Sequence, residues 1–123
     1  MIRIYIKKNQ SDKYKKRMKS KAIIRKKISG TPERPRLVVF RSHRHIYAQL
    51  VDDTAQKVLV SSNSLKFTEN KSGREKALDV GRVMADIARK KGIEKVVFDR
   101  NGYVYHGRIQ SVAEGARKAG LVF

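Results

Sequence analysis

The chain has 123 residues, 40% of them hydrophobic, which suits one small domain with one core. Thirty Lys and Arg stand against eleven Asp and Glu, for a formal net charge of +19 and a pI near 10.6. Self-repulsion at that charge opposes compaction, so a polyanionic partner is expected, nucleic acid first and an anionic membrane surface second. The absence of cysteine excludes disulfides, thiolate catalysis and cysteine zinc sites.

The opening "MIRIYIKKNQ" alternates apolar and basic residues and lacks a signal-peptide core. No apolar run approaches a membrane span, so a cytoplasmic protein is expected. Charge is uneven along the chain: residues 1–30 carry +11 and residues 31–123 carry +8. The boundary falls near "SGTPERPR" (29–36), where Gly30, Pro32 and Pro35 punctuate the chain. This divides the protein into a basic arm, 1–30, and a globular body, 31–123.

In the arm, Ser11 is placed to cap a helix starting near Asp12. Tyr14, Met18 and Ala22 recur every four residues, and Ile24 and Ile28 extend a loosely apolar face. Lys13, Lys15, Lys16, Arg17, Lys19, Lys21, Arg25, Lys26 and Lys27 surround it. Such a helix buries little and repels itself. It is expected to be mostly disordered alone and to fold against a phosphate backbone.

The body reads as β-β-β-α-β-α. "RLVVF" (36–40) is the first strand. "HIYAQLV" (45–51) is the second, with Ile46, Ala48 and Leu50 on the core side and Tyr47 and Gln49 outside. "DDTAQ" (52–56) is a turn and "KVLVSS" (57–62) the third strand. Residues 63–71 form a polar loop. Ser72 and Glu75 have capping-box spacing ahead of a helix whose inner face is Ala77, Val80, Met84, Ile87 and Ala88, with Gly92 at its end. "KVVFD" (95–99), apolar without alternation, predicts a central, well-covered strand. "RNGYVYHG" (100–107) is read as a loop. Asn-Gly favours a hairpin, but the next segment runs into a helix. That helix spans about Arg108–Ala119, with Ile109, Val112, Ala113 and Ala116 inward and Gly120 after it. Three hairpin-linked strands, a crossover helix and another strand make a mixed α/β sheet with helices packed on it.

Three regions carry chemistry. The arm offers Lys15, Lys16, Arg17, Lys19, Lys21, Arg25, Lys26 and Lys27 to phosphates. The join of the first two strands crowds Arg41, Ser42, His43, Arg44 and His45 together, with Arg34 and Arg36 just upstream. Forked guanidinium donors suit phosphate oxygens, and histidine donates to phosphate or stacks on a base. In "DRNGYVYHGR" (99–108), Arg100, Tyr103, Tyr105, His106 and Arg108 mix cations with stacking surfaces. Gly102 and Gly107 permit close backbone approach, and Gly107 and Arg108 open a helix whose N-terminus attracts anions. One of the two tyrosines is expected to pack and the other to be available.

Enzyme readings have little support. His43 and His45 lack a third metal ligand and have cationic neighbours. Ser42, His106 and Asp99 form a triad only by selection, with no nucleophile elbow. Asp52, Asp53 and Asp99 are too few for a two-metal nuclease; Asp99 is expected to orient Arg100 or cap the loop. A membrane-surface helix would need a stronger apolar face than Met18 and a few isoleucines supply.

"SGTPERPRLVVFRSHRHIYAQLVDD" (29–53) and "VVFDRNGYVYHGRIQSVAEGARKAGLVF" (96–123) resemble the signature blocks of the bacterial large-subunit ribosomal protein L-eighteen family. The resemblance covers nearly everything after Ser29 except the loop at 63–72. It implies a mixed sheet flanked by helices, with ribonuclease-H-like topology and no nuclease activity. It implies binding to 5S rRNA and its attachment to 23S rRNA in the central protuberance of the large ribosomal subunit, beside neighbouring ribosomal proteins. It implies no cofactor, no membrane and no small-molecule substrate. By position, Arg34, Arg36 and the 41–45 block fall in the RNA-facing segment, while Arg100, Gly102, Tyr105, His106, Gly107 and Arg108 match the second block. The arm departs from the family pattern Lys-Arg-His-x-Arg-Val-Arg. In "KSKAIIRKK" (19–27) Arg25 keeps a cation, but Ser20 and Ile23 stand where arginines are usual.

Overall fold

The computed structural model describes residues 11–65, 67 and 71–123; the alternating start at 1–10 and part of the polar loop lie outside the described residues. The element order is α1 (Asp12–Lys27), β1 (Arg36–Arg41), β2 (Ile46–Asp52), β3 (Lys57–Asn63), α2 (Gly73–Lys90), β4 (Val97–Asp99) and α3 (Gly107–Lys118). The strands form one mixed sheet in the order β3-β2-β1-β4. β1–β2 and β2–β3 are antiparallel; β4 runs parallel to β1, reached through α2.

The period of two in β2 sorts its side chains: Ile46, Ala48 and Leu50 are buried, while Gln49 is exposed. Leu37 and Val39 of β1 join them on the same face. α2 and α3 cover that face with Ala77, Val80, Met84, Ala88, Ile109, Val112 and Ala116. The two helices approach closely because glycines meet backbone: a Cβ on Gly81 would lie 2.1 Å from the Val112 carbonyl oxygen, and one on Gly115 2.1 Å from that of Leu78. Ser72 caps α2 by accepting the Glu75 N–H at 3.2 Å.

Two expectations change. β4 is short and lies at the sheet edge rather than its centre, with Val97 and Phe98 only half-buried. Its apolar run is covered instead by the C-terminus: Lys95 bridges to Val122, and Phe123 stacks on Phe98 at 5.7 Å. Ile87 is exposed, on the rim of the α2 stripe. The arm is helical over Asp12–Lys27, and α1 rests on the body. Ser11 accepts the Tyr14 N–H at 3.2 Å, Met18 is buried, and a crevice separates Lys21, Ala22 and Arg25 from Val38, Gln49 and Val51 on the outer sheet face. α1 therefore lies on the opposite side of the sheet from α2 and α3.

Candidate nucleic-acid interface

Asn101 and Gly102 follow β4 with φ of +55° and +79°. The Asn-Gly pair thus makes a turn, closed by Tyr103 N–H to the Arg100 carbonyl at 3.0 Å, but no hairpin. β4 is already parallel to β1, and the chain goes on into α3. This turn carries α1. A Cβ on Gly102 would fall 2.3 Å from the Arg17 carbonyl oxygen, so only glycine lets the helix seat there. Arg17 donates from Nε to the Asn101 carbonyl at 3.2 Å, and its guanidinium lies 3.9 Å from the Tyr103 ring centroid. Arg41 approaches the same ring at 5.1 Å.

Tyr103 is the packed tyrosine. Its hydroxyl donates to the Arg41 carbonyl and accepts the Arg41 N–H, both at 3.3 Å. Tyr105 is the exposed one; it meets the ring of Phe98 edge-on at 5.8 Å and accepts from Arg117 at 3.4 Å. Sequence reasoning did not weight Tyr103 above Tyr105.

The arm cations divide. Lys13, Lys16, Lys19, Lys26 and Lys27 are exposed; Lys15, Arg17, Lys21 and Arg25 are half-buried. Burial lowers the Lys21 ammonium pKa, and neighbouring Arg17 lowers it further. Arg25 donates to the Ile28 carbonyl at 3.2 Å and meets Asp53 at 3.4 Å.

The 41–45 join is a tight turn. Ser42 N–H donates to the His45 carbonyl at 2.9 Å, and the Ser42 hydroxyl accepts the His45 N–H at 3.1 Å. Arg41, His43 and Arg44 are exposed around it. His45 places Nδ1 3.1 Å from Ser64 Oγ, which also accepts the Ile46 N–H at 3.0 Å. Ser64, buried and unanticipated, thereby fixes the base of the turn. Arg34 is exposed after a Thr31–Arg34 turn. Arg100 donates to the Tyr103 carbonyl at 2.7 Å. His106 is exposed at the start of α3 and makes no side-chain cap, and Gly107 follows at φ +56°.

Two arginines expected to face phosphate are engaged internally. Arg108 spans the turn, donating to the carbonyls of Ser42 at 3.1 Å and His45 at 3.5 Å; burial and nearby Arg41 lower its pKa. Arg36 bridges two carboxylates: Nε and one terminal nitrogen meet Asp53 at 3.0 and 3.1 Å, and the other meets Asp99 at 2.9 Å. Burial lowers the Arg36 pKa, but the hydrogen bonds and charges of Asp53 and Asp99 more than reverse this. Burial raises the Asp53 pKa, yet Arg36, the Gly30 N–H and Arg25 bring it down to about 2. Asp99 also accepts the Asn101 N–H at 2.7 Å, so it caps the loop but pairs with Arg36, not Arg100.

These partners matter for chemistry. Of the carboxylates a nuclease would use, Asp53 and Asp99 are met by the Arg36 guanidinium and Asp52 accepts the Thr54 N–H and hydroxyl, while the Ser42 hydroxyl is bonded within its own turn, to the His45 carbonyl at 3.2 Å. Among the described residues no group of three or more His, Asp and Glu is placed to hold a metal, and no helix is long and apolar enough to cross a membrane.

Residues 11–123 match the family model described as "Ribosomal L18 of archaea, bacteria, mitoch. and chloroplast". The chain is 55% identical over 114 residues to the large ribosomal subunit protein uL18 of Nitratidesulfovibrio vulgaris (strain DP4), covering 87% of this chain and 93% of that relative. It is 55% identical over 111 residues to uL18 of Porphyromonas gingivalis (strain ATCC 33277), covering 90% and 97%. It is 51% identical over 115 residues to uL18 of Lactococcus lactis subsp. cremoris (strain MG1363), covering 94% and 98%. With such matches along nearly its whole length, this chain belongs to the ribosomal L18 family, non-enzymatic structural proteins of the large ribosomal subunit.

Proposed function

We propose that the chain binds 5S rRNA and helps to attach it to 23S rRNA in the central protuberance, beside neighbouring large-subunit proteins. One observation carries the RNA-binding part: exposed cations of α1 and of the Arg41–His45 turn sit on elements fastened together through Tyr103, and Lys13, Lys16, Arg41 and Arg100 line one cleft. Family membership and the signature blocks support 5S rRNA as the ligand. The exposed lysines and arginines neutralise phosphates, and the turn and the 100–108 loop supply rigid groups that choose the site.

The test is titration of the full chain with 5S rRNA over a tenfold range of salt, against an unrelated duplex RNA of equal length. The logarithm of the affinity should fall linearly with that of the salt concentration, and 5S rRNA should bind more tightly at every point. Affinity indifferent to salt, or equal for the two RNAs, refutes the proposal.

A further inference from the structure

β3 ends the sheet on the side opposite β4, and among the described residues no strand lies beyond it. Antiparallel pairing turns the backbone groups of successive residues inward and outward by turns. The Ser64 N–H meets the Ile46 carbonyl at 3.0 Å, so Ser62 and Val60, in steps of two, also face β2. Ser61 and Asn63 therefore aim their N–H and carbonyl groups away from the sheet, and among the described residues no backbone group pairs with them there. The register shifts between Leu50 and Val51, which leaves Leu59 as an extra residue, and Lys91 Nζ donates to its carbonyl at 2.8 Å.

That contact locates one side of α2. Val83, Ile87 and Lys91 recur every four residues and so stack along the helix, and Lys91 sets their row beside the β3 edge. Ile87 is 36% exposed and Val83 half-buried, while Val58 on β3 is 48% exposed. Unpaired backbone groups thus run next to an uncovered apolar strip. The charge around them is positive. Lys57, Lys90 and Lys91 are exposed, whereas Asp79 and Asp86 of α2 are already paired with Lys71 and Arg82.

A polypeptide strand satisfies all three features at once: it continues the ladder, alternates side chains onto the strip and can carry acids to the lysines. RNA phosphates do not continue a ladder of N–H and carbonyl groups. Residues 1–10 bring Arg3, Lys7 and Lys8 with no acid, and a second copy of the chain brings the same cations on its own β3. We infer that the β3 edge accepts an extended, acidic segment of another protein as a fifth strand, bonded to Ser61 and Asn63 and packed on Val83 and Ile87. Until it arrives, Lys91 and the bulge blunt the edge against indiscriminate pairing. The inference goes beyond the RNA-binding reading and does not rest on it, since this edge borders α2 and the arm lies across the sheet.

The probe is a labelled peptide as long as β3, seven residues, with valine and threonine alternating between terminal glutamates. One control has the same side chains but N-methyl groups along one edge, so its charge is kept and its ladder donors are lost. A second control has lysine in place of glutamate. The full chain should bind the probe roughly tenfold more tightly than either control, the difference expected of about two hydrogen bonds. Amide exchange at Ser61 and Asn63 should slow when the probe is bound. Ser61→Pro removes an outward N–H that β2 does not use, a change edge strands tolerate, and Ile87→Glu puts an acid on the exposed strip. Each should abolish the preference and leave circular dichroism and 5S rRNA affinity unchanged. Equal binding of the probe and its methylated control overturns the inference, as does a preference that survives in both variants. Displacement of the probe by 5S rRNA gives the edge to RNA, and self-association that Ser61→Pro dissolves gives it to a second copy; both overturn the inference. Failure of 5S rRNA to bind while the peptide preference stands strikes the proposed function and supports the edge.

Discussion

Asp53 is the junction at which arm, linker and sheet are tied, and Asp53→Asn measures the tie. The carboxylate receives Arg25 from α1, the Gly30 N–H from the linker and Arg36 from β1. Its pKa in the folded chain is about 2, against 3.8 for the free group. At about 1.4 kcal/mol for each pH unit, ionised Asp53 contributes roughly 2 kcal/mol of stability. Arg36 and Asp53 have side-chain exposures of 13% and 17%, so solvent screens the pair little. Because the folded pKa lies below the unfolded one, the contribution is complete above about pH 5 and is lost as pH falls through about 4 to 2. Asp53→Asn should therefore lower unfolding stability by roughly 2 kcal/mol at pH 7 and remove that part of the acid sensitivity. Urea unfolding of both proteins at pH 7, 4 and 2.5 reads this directly. Asp86→Asn is the control: its pair with Arg82 is 3.7 Å long and about half exposed, so stability should stay within about 0.5 kcal/mol. If Asp53→Asn is as neutral as the control, or loses as much stability on acidification as the unmodified chain, the junction does not hold the fold.

Arg41→Ala with Arg44→Ala should weaken RNA binding and leave thermal stability nearly unchanged, since both side chains are exposed; Leu50→Ala, fully buried, should instead cost roughly 2–5 kcal/mol. If the arginine pair is as destabilising as Leu50→Ala and RNA affinity survives, the turn is structural. Deleting residues 1–28 should weaken binding to 5S rRNA and flatten its salt slope while leaving the footprint in place, and a footprint that moves would show that the arm sets the site. Gly102→Ala places a Cβ against the Arg17 carbonyl at positive φ, so amide exchange should accelerate in α1 and not in α2; unchanged exchange would mean that α1 does not depend on this seat.

What was legible in the sequence was local. The alternation of β2, the Ser11 and Ser72 caps and the inner face of α3 depend on neighbours within a few positions, and all four stand in the structure. Arg36 shows the opposite case. Its partners lie 17 and 63 positions away, so the same forked donor that suits phosphate reads identically whether a carboxylate or an RNA awaits it. Arg108 likewise grips carbonyls 63 and 66 positions away. β4 was misplaced for a related reason. An apolar run records that a strand is covered, not whether a neighbouring strand or a C-terminal segment covers it.

The placement of the acids sharpens what the net charge implies. The chain has eleven carboxylates against thirty Lys and Arg. Asp99 and Asp52 are buried and Asp53 nearly so; Asp52 is capped by Thr54, and the other two are taken up by Arg36. Glu75, Asp79, Asp86 and Glu114 stand on α2 and α3, across the sheet from the arm. Only Asp12 lies within α1, in its first turn where it complements the helix dipole. The positive field is thus concentrated on the α1 side beyond what an even spread of +19 would give. On the proposed RNA-binding reading, a polyanion would be steered to that side before any specific contact forms, and the exposed lysines of α1 would then act on association rate as well as affinity.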